Sequence, residues 1–300
     1  MGVIRRKIIQ YMLKDFYALK DLEHPAFEEA LTKLKKKYKV TSAPTARVRR
    51  HMETQNCEID GYQYYIARSK KNRSDKKLLY IHGGGFCWEA FSVQWDFCMR
   101  LADKTGCEII FPAYPVVPEG NAQEAHKMLI ALYRKVLENA DPGNLILAGD
   151  SAGGALCLSL SMLARDEGLP MAKELVLISP GLGTADMTDE EKARFQEIQK
   201  HDFIIGQFPI LKISKLWKGQ LEPDDYRVYV PGGSLEGLPK ITVFSGTYDI
   251  MNIAARRLAN RLKSEGHPYE YMEKEGGYHV YVLNKKSKEE FRIIADKILK

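Results

Sequence analysis

The chain's 300 residues suffice for one large α/β domain, and a composition 45% hydrophobic and 28% charged is that of an ordinary globular protein with a substantial core. That balance excludes a disordered, collagen-like or low-complexity chain. The net charge of +6 is gathered at one end: residues 1–50 hold thirteen Lys and Arg against five Asp and Glu, and the remainder is slightly acidic. The densest basic stretch, residues 33–39, reads as the solvated face at a helix end, so nucleic acid is not an expected partner.

In chain order, residues 3–20 and 26–39 predict two helices. Ile4, Ile8, Tyr11, Met12 and Phe16 share one face of the first, and His24-Pro25 punctuates the pair. The apolar stretch after Arg5-Arg6-Lys7 stops at Lys14, too short for a secretory signal, and no run approaches a membrane span. Arg6 stands where N-myristoylation requires Ser or Thr. The cysteines Cys57, Cys87, Cys98, Cys107 and Cys157 are odd in number, scattered and without a C-x-x-C pair. They predict neither a disulfide framework nor a metal site, and the expected setting is the cytoplasm.

Residues 57–68 predict a hairpin turning at Asp60-Gly61. Short apolar runs then recur at Leu78–Ile81, Ile109–Phe111, Leu145–Ala148, Leu175–Ile178 and Ile241–Phe244, with a last strand near Tyr269–Tyr271. Continuous rather than alternating hydrophobicity marks strands covered on both faces, as in a parallel sheet. Amphipathic helices over 122–139 and 253–265 lie between them, so the expected fold class is α/β, a doubly wound, mostly parallel sheet. The rhythm breaks between Pro180 and Gly237. The expected division is an N-terminal helical cap segment (1–50), core (51–183), a cap insertion (184–235) and core again (236–300).

Ligands of open α/β sheets bind beyond the carboxyl ends of the strands. Beyond those ends this chain places His82-Gly83-Gly84-Gly85-Phe86, then Gly149-Asp150-Ser151-Ala152-Gly153-Gly154, then Ser245 to Asp249, then Gly276-Gly277-Tyr278-His279. A bare G-x-S-x-G arises by chance in roughly one chain in ten of this length. A serine, an acid, a histidine and a glycine loop converging on one sheet edge carry more weight. Neutral serine needs a base such as His279, which needs an acid such as Asp249 to fix its tautomer. Glycine N–H groups after a strand, with that of Ala152 at a helix start, suit an oxyanion.

The order Ser151, Asp249, His279 behind an HGGG loop is that of α/β-hydrolases. Over residues 75–285 the sequence resembles the hormone-sensitive-lipase-like carboxylesterases, through HGGGF, GDSAGG and the stretch Tyr114 to Glu119. The resemblance implies a cofactor-free serine esterase for short- to medium-chain esters. Ser151 would be the nucleophile, His279 the base and Asp249 its orienting acid; Gly84, Gly85 and Ala152 would be the oxyanion donors, with His82 and Gly83 shaping the loop. Asp249-Ile250-Met251-Asn252 departs from the family's usual Asp-Pro-Leu.

Other readings stand beside this one. Asp249 can be a helix N-cap, with Glu222, Asp224 and Asp225 as rival acids. Among the other histidines, His126 falls within a helix and His267 at a surface turn. Cys87 reads as a small buried hydrophobe, and Phe86, Trp88 and Phe91 serve equally as acyl pocket or core. Gly181-Leu182-Gly183 lacks the third glycine of a dinucleotide loop. The same triad can cleave an amide or formamide, and the fold can serve as a small-molecule receptor. A basic amphipathic segment over 3–19 would suit an anionic membrane, though no membrane contact is expected. The sequence does not set the oligomeric state.

Overall fold

A computed structural model describes residues 14–38, 40–183 and 186–300. Most of the helix expected over 3–20 lies outside them; from Lys14 the chain is helical, closing in a 3₁₀ turn at Ala18–Asp21. The second expected helix is α1 (Ala26–Tyr38), which buries Phe27, Leu31 and Leu34. A short helix, α2 (Ala46–His51), leads into the sheet.

Eight strands make up the sheet: β1 (Met52–Ile59), β2 (Tyr62–Ser69), β3 (Lys77–Ile81), β4 (Glu108–Pro112), β5 (Leu145–Asp150), β6 (Glu174–Ile178), β7 (Lys240–Tyr248) and β8 (Tyr269–Tyr278). Their spatial order is β1-β2-β4-β3-β5-β6-β7-β8. β1, β2 and β4 pair antiparallel, and β4 through β8 run parallel. The mostly parallel α/β sheet is as expected. The hairpin turn also falls where predicted: Ile59 faces Tyr62 across Asp60 and Gly61, both at positive φ (49° and 82°), as a two-residue turn of this hand requires. β1 begins five residues earlier than the hydrophobic pattern predicts. Glu53-Thr54-Gln55-Asn56 lies on the sheet's edge, largely exposed, and so carries no apolar signal.

Successive side chains of a strand point to opposite faces, and here both faces are buried. Leu79, Ile81, Leu147, Leu175 and Val243 face α4 (Ala122–Leu137), α5 (Ala152–Asp166) and α8 (Asn252–Ser264). Leu78, Tyr80, Ile146, Ala148, Val176 and Phe244 face α3 (Ser92–Thr105) and α9 (Lys288–Leu299). The alternation within each apolar run thus serves two cores.

Between β6 and β7 the described chain forms two α-helices, α6 (Asp189–His201) and α7 (Ile210–Lys218), a 3₁₀ turn at Val230–Gly232, and no strand. They meet the N-terminal segment. The Tyr17 hydroxyl donates to the Ile204 carbonyl at 2.7 Å, Lys212 pairs with Glu23 at 3.0 Å, and the rings of Phe16 and Phe208 lie 4.7 Å apart.

Candidate active site

The turn from β5 into α5 explains the glycines of GDSAGG. A Cβ on Gly153 would stand 2.0 Å from the Ile81 carbonyl oxygen, and one on Gly149 would stand 2.4 Å from that of Gly153. The backbones of β3, β5 and α5 cross at that distance only without side chains. Ser151 sits between them as the N-cap of α5, at φ 52° and ψ −121°, a conformation costly for a residue with a Cβ. Neighbours hold it there: its N–H donates to Ile178 O (2.8 Å) and its carbonyl accepts Gly181 N–H (2.9 Å). Gly181 therefore supports the serine turn, with no part in a dinucleotide loop.

His279, just beyond β8, brings Nε2 to 2.9 Å from Ser151 Oγ. Its Nδ1 lies 3.0 Å from both carboxylate oxygens of Asp249, at the end of β7. Asp249 is fully buried and His279 nearly so. An ionised carboxylate only accepts, so Nδ1 carries the proton and Nε2 is left to accept from the serine hydroxyl. Burial alone would pull the imidazole pKa down. The charge and hydrogen bond of Asp249, with Asp202 and Asp150 beyond, outweigh it and hold the pKa above the ordinary value. Asp249 also accepts the Met251 N–H at 2.9 Å, so it secures its own turn while meeting His279.

The glycine loop after β3 is anchored by Asp150, the residue before the serine. Its buried carboxylate gathers the Tyr80 hydroxyl (2.8 Å), the Gly83 N–H (3.0 Å) and the Gln94 amide (2.9 and 3.1 Å). The N–H groups of Gly84 and Gly85 donate to no backbone carbonyl among the described residues. That of Ala152 opens α5, with no carbonyl four residues back inside the helix. Gly84 and Gly85 have φ of 137° and 60°, and a Cβ on Gly85 would stand 2.2 Å from the Phe208 ring.

His82 is buried in the base of this loop, its ring stacked on Tyr114 at 4.5 Å. Nδ1 meets Gly83 O at 2.8 Å and Nε2 meets Ser42 Oγ at 3.1 Å. Ser42 also bonds the Glu89 carboxylate and accepts the Ala90 N–H.

The remaining candidates lie elsewhere. Asp225 is paired with Arg227 at 2.6 Å, and His126 bridges Ala122 O and Ser159 Oγ, burial pushing its pKa down to about 4. His267 meets Pro239 O. Burial pushes the Cys87 thiol far up, which removes it as a nucleophile. Trp88 is buried against Phe16, Phe86 stacks on Trp217 at 4.4 Å, and Phe91 is exposed. Sequence reasoning misses Asp150 and Ser42. The one signal for Asp150 is its place beside Ser151; nothing marks Ser42. Among the described residues no three His, Cys, Asp or Glu side chains converge as a metal site would require.

This nucleophile turn, with a histidine and an acid supplied by later strands of a parallel sheet, defines an α/β-hydrolase architecture. A family profile described as the alpha/beta hydrolase fold matches residues 78–283, and the chain belongs to that family. An acetyl-hydrolase of Streptomyces hygroscopicus is 26% identical over 207 residues, covering 69% of this chain and 68% of that protein. An esterase of Acinetobacter venetianus is 30% identical over 187 residues, covering 61% of this chain and 60% of its own length. The crystal structure of an esterase from the bacterial hormone-sensitive lipase family aligns with a TM-score of 0.78 at 19% identity, covering 100% of this chain and 98% of the other. The membership implied by the HGGGF and GDSAGG motifs is borne out.

Proposed function

We propose that the protein is a serine carboxylesterase that cleaves short- to medium-chain carboxylic esters through an acyl-enzyme. The observation that carries this reading is the unbroken line from Ser151 Oγ through His279 to Asp249, at 2.9 and 3.0 Å. The names of the relatives support ester hydrolysis. As Ser151 Oγ bonds to the ester carbonyl carbon, its proton passes to His279 Nε2, and Asp249 stabilises the imidazolium. The carbonyl oxygen becomes an oxyanion facing the N–H groups of Gly84, Gly85 and Ala152. Collapse breaks the C–O bond and His279 returns the proton to the leaving alcohol. Water, deprotonated by His279, then attacks the acyl-serine and releases the carboxylic acid.

In the proposal the described parts of residues 1–50 and 184–235 form a cap over this site, and the Phe208 ring against Gly85 supports that placement. The Phe208 ring against Gly85, backed by the Phe16 ring at 4.7 Å, supports a limited acyl length. All five cysteines are free thiols, which supports a reducing, cytoplasmic setting. Among the described residues no helix is long and apolar enough to cross a membrane.

The test is hydrolysis of p-nitrophenyl acetate, butyrate, octanoate and palmitate by the wild type and Ser151→Ala. Turnover of the short esters with a loss of at least ~1,000-fold in the variant is the expected result. Equal inertness of both proteins would overturn the reading.

A further inference from the structure

Asp202 is placed against its preferences. It directly follows α6, where the helix dipole disfavours an anion, and it is 5% exposed. No ion pair with Lys, Arg or His among the described residues includes it. What holds it is backbone: Oδ1 accepts the N–H groups of Ile204 (3.0 Å) and Ile205 (2.9 Å), and Oδ2 accepts that of Ile250 (3.0 Å). The first two close a local turn. The third crosses from the insertion to the residue immediately after Asp249.

Two features tie this carboxylate to the site. The Tyr17 hydroxyl, from the N-terminal segment, donates to the Ile204 carbonyl of the same turn, so three parts of the chain meet there. The charge of Asp202 also reaches both Asp249 and His279: burial and Asp249 raise its pKa above the ordinary carboxylate value, and His279 with the Ile205 and Ile250 N–H groups offsets only part of that rise. The titratable groups facing it are Asp249, His279 and the Tyr17 phenol; His279 in turn faces Asp249, Asp202 and Asp150. The adjacent His201 is taken up by Tyr248, on which it stacks at 4.6 Å, and by Glu197.

We propose that Asp202 is a positioning residue for the triad: it fixes the turn that carries Asp249 and supplies a second carboxylate charge to the His279 imidazolium. The inference rests on the esterase reading for its catalytic meaning. Transfer of the Ser151 proton puts one positive charge on His279, and a buried anion held by three N–H groups stabilises that charge without reorganising. Asp249 alone bonds the ring; Asp202 acts through the Ile250 link and through space.

The experiment titrates His279 in the wild type and in Asp202→Asn by its downfield Nδ1 proton resonance. It also measures kcat and KM for p-nitrophenyl butyrate across the same pH range. Asn keeps an acceptor for Ile204 and Ile205, removes the charge and, with its amide nitrogen in place of Oδ2, gives up the Ile250 bond. Loss of a nearby anion destabilises the imidazolium, so the midpoint is expected to fall by about half a unit or more. The acid limb of kcat should move with it, and kcat at neutral pH should drop about three- to tenfold while KM stays within twofold. An unmoved midpoint overturns the proposal even if activity falls, because both the charge of Asp202 and its hold on the Asp249 turn act on the His279 titration. Should Asn prevent folding, Asp202→Ser is neutral, smaller and still an acceptor, and is read in the same way. A wild type inert toward esters overturns the esterase reading instead, and the proton resonance still decides the charge effect.

Discussion

At the scale of single residues, the site depends on what surrounds Ser151 as much as on Ser151 itself. Its positive φ persists because Ile178 and Gly181 bond both sides of the residue, and because Gly149 and Gly153 leave room for three crossing backbones. Ser151 and Asp249 are readable in the sequence because each comes after an apolar run that had to be a buried strand, and His279 because it follows the last strand. Asp150 and Asp202 are not readable in the same way. Their roles arise from which N–H groups and hydroxyls the fold aims at them, and a buried acceptor of backbone bonds leaves no periodic trace. The raised pKa of His279 sets the sign of the acid limb. His279 must be neutral to take the serine proton, so kcat/KM is expected to fall toward acid with a midpoint above ~6.5. A pH-rate profile with saturating and limiting ester checks this; a midpoint below that value would contradict the environment described for the ring.

At the scale of elements, the segment between β6 and β7 brings the Phe208 ring against Gly85. The sequence marks this stretch only by the loss of strand rhythm, since the charged α6 buries little beyond Ile198 and carries a weak pattern. Its boundary at Thr188 is still legible, because Thr188 and Glu191 form a reciprocal cap at the helix start. The link to the glycine loop is not. Phe208 lies against Gly85 with its N–H on the Ile205 carbonyl, at the end of a turn bonded by Asp202 and Tyr17. Replacing Phe208 with Ala is expected to open the space over Gly85. The ratio of kcat/KM for p-nitrophenyl octanoate to that for acetate should rise at least about tenfold, each added methylene gaining apolar contact. An unchanged ratio would place the chain-length limit elsewhere.

At the scale of the whole molecule, the candidate site lies at the carboxyl edge of the sheet and a largely buried ion cluster ties down the opposite edge. Lys297, near the end of α9, meets Glu174 at 2.8 Å and Glu270 at 2.9 Å, at the starts of β6 and β8. The Thr242 hydroxyl bonds the same Glu174 carboxylate. Lys297→Met keeps the volume and leaves Glu174 buried without its cation, a change expected to cost about 3 kcal/mol. By thermal melting this should lower Tm on the order of 5–10 °C. Ester turnover at 25 °C should stay within twofold, since the cluster is remote from Ser151. A Tm within a degree of wild type would show that the pair contributes no net stability. The strand order is legible only in part. Apolar runs identify strands, but not that β4 inserts between β2 and β3; that arises from crossovers through α3 and α4 on opposite faces.

The contact between Ser42 and the glycine loop has a consequence for proton counting. The Ser42 oxygen accepts the Ala90 N–H and so has one lone pair and one proton to share between His82 Nε2 and the Glu89 carboxylate. That proton meets only one of the two at a time, and burial pulls the His82 pKa down against the charge of Glu89. By turning about its Cβ–Oγ bond, one buried hydroxyl thus decides whether the loop's histidine or the neighbouring carboxylate receives the proton, while the same heavy atoms stay in contact.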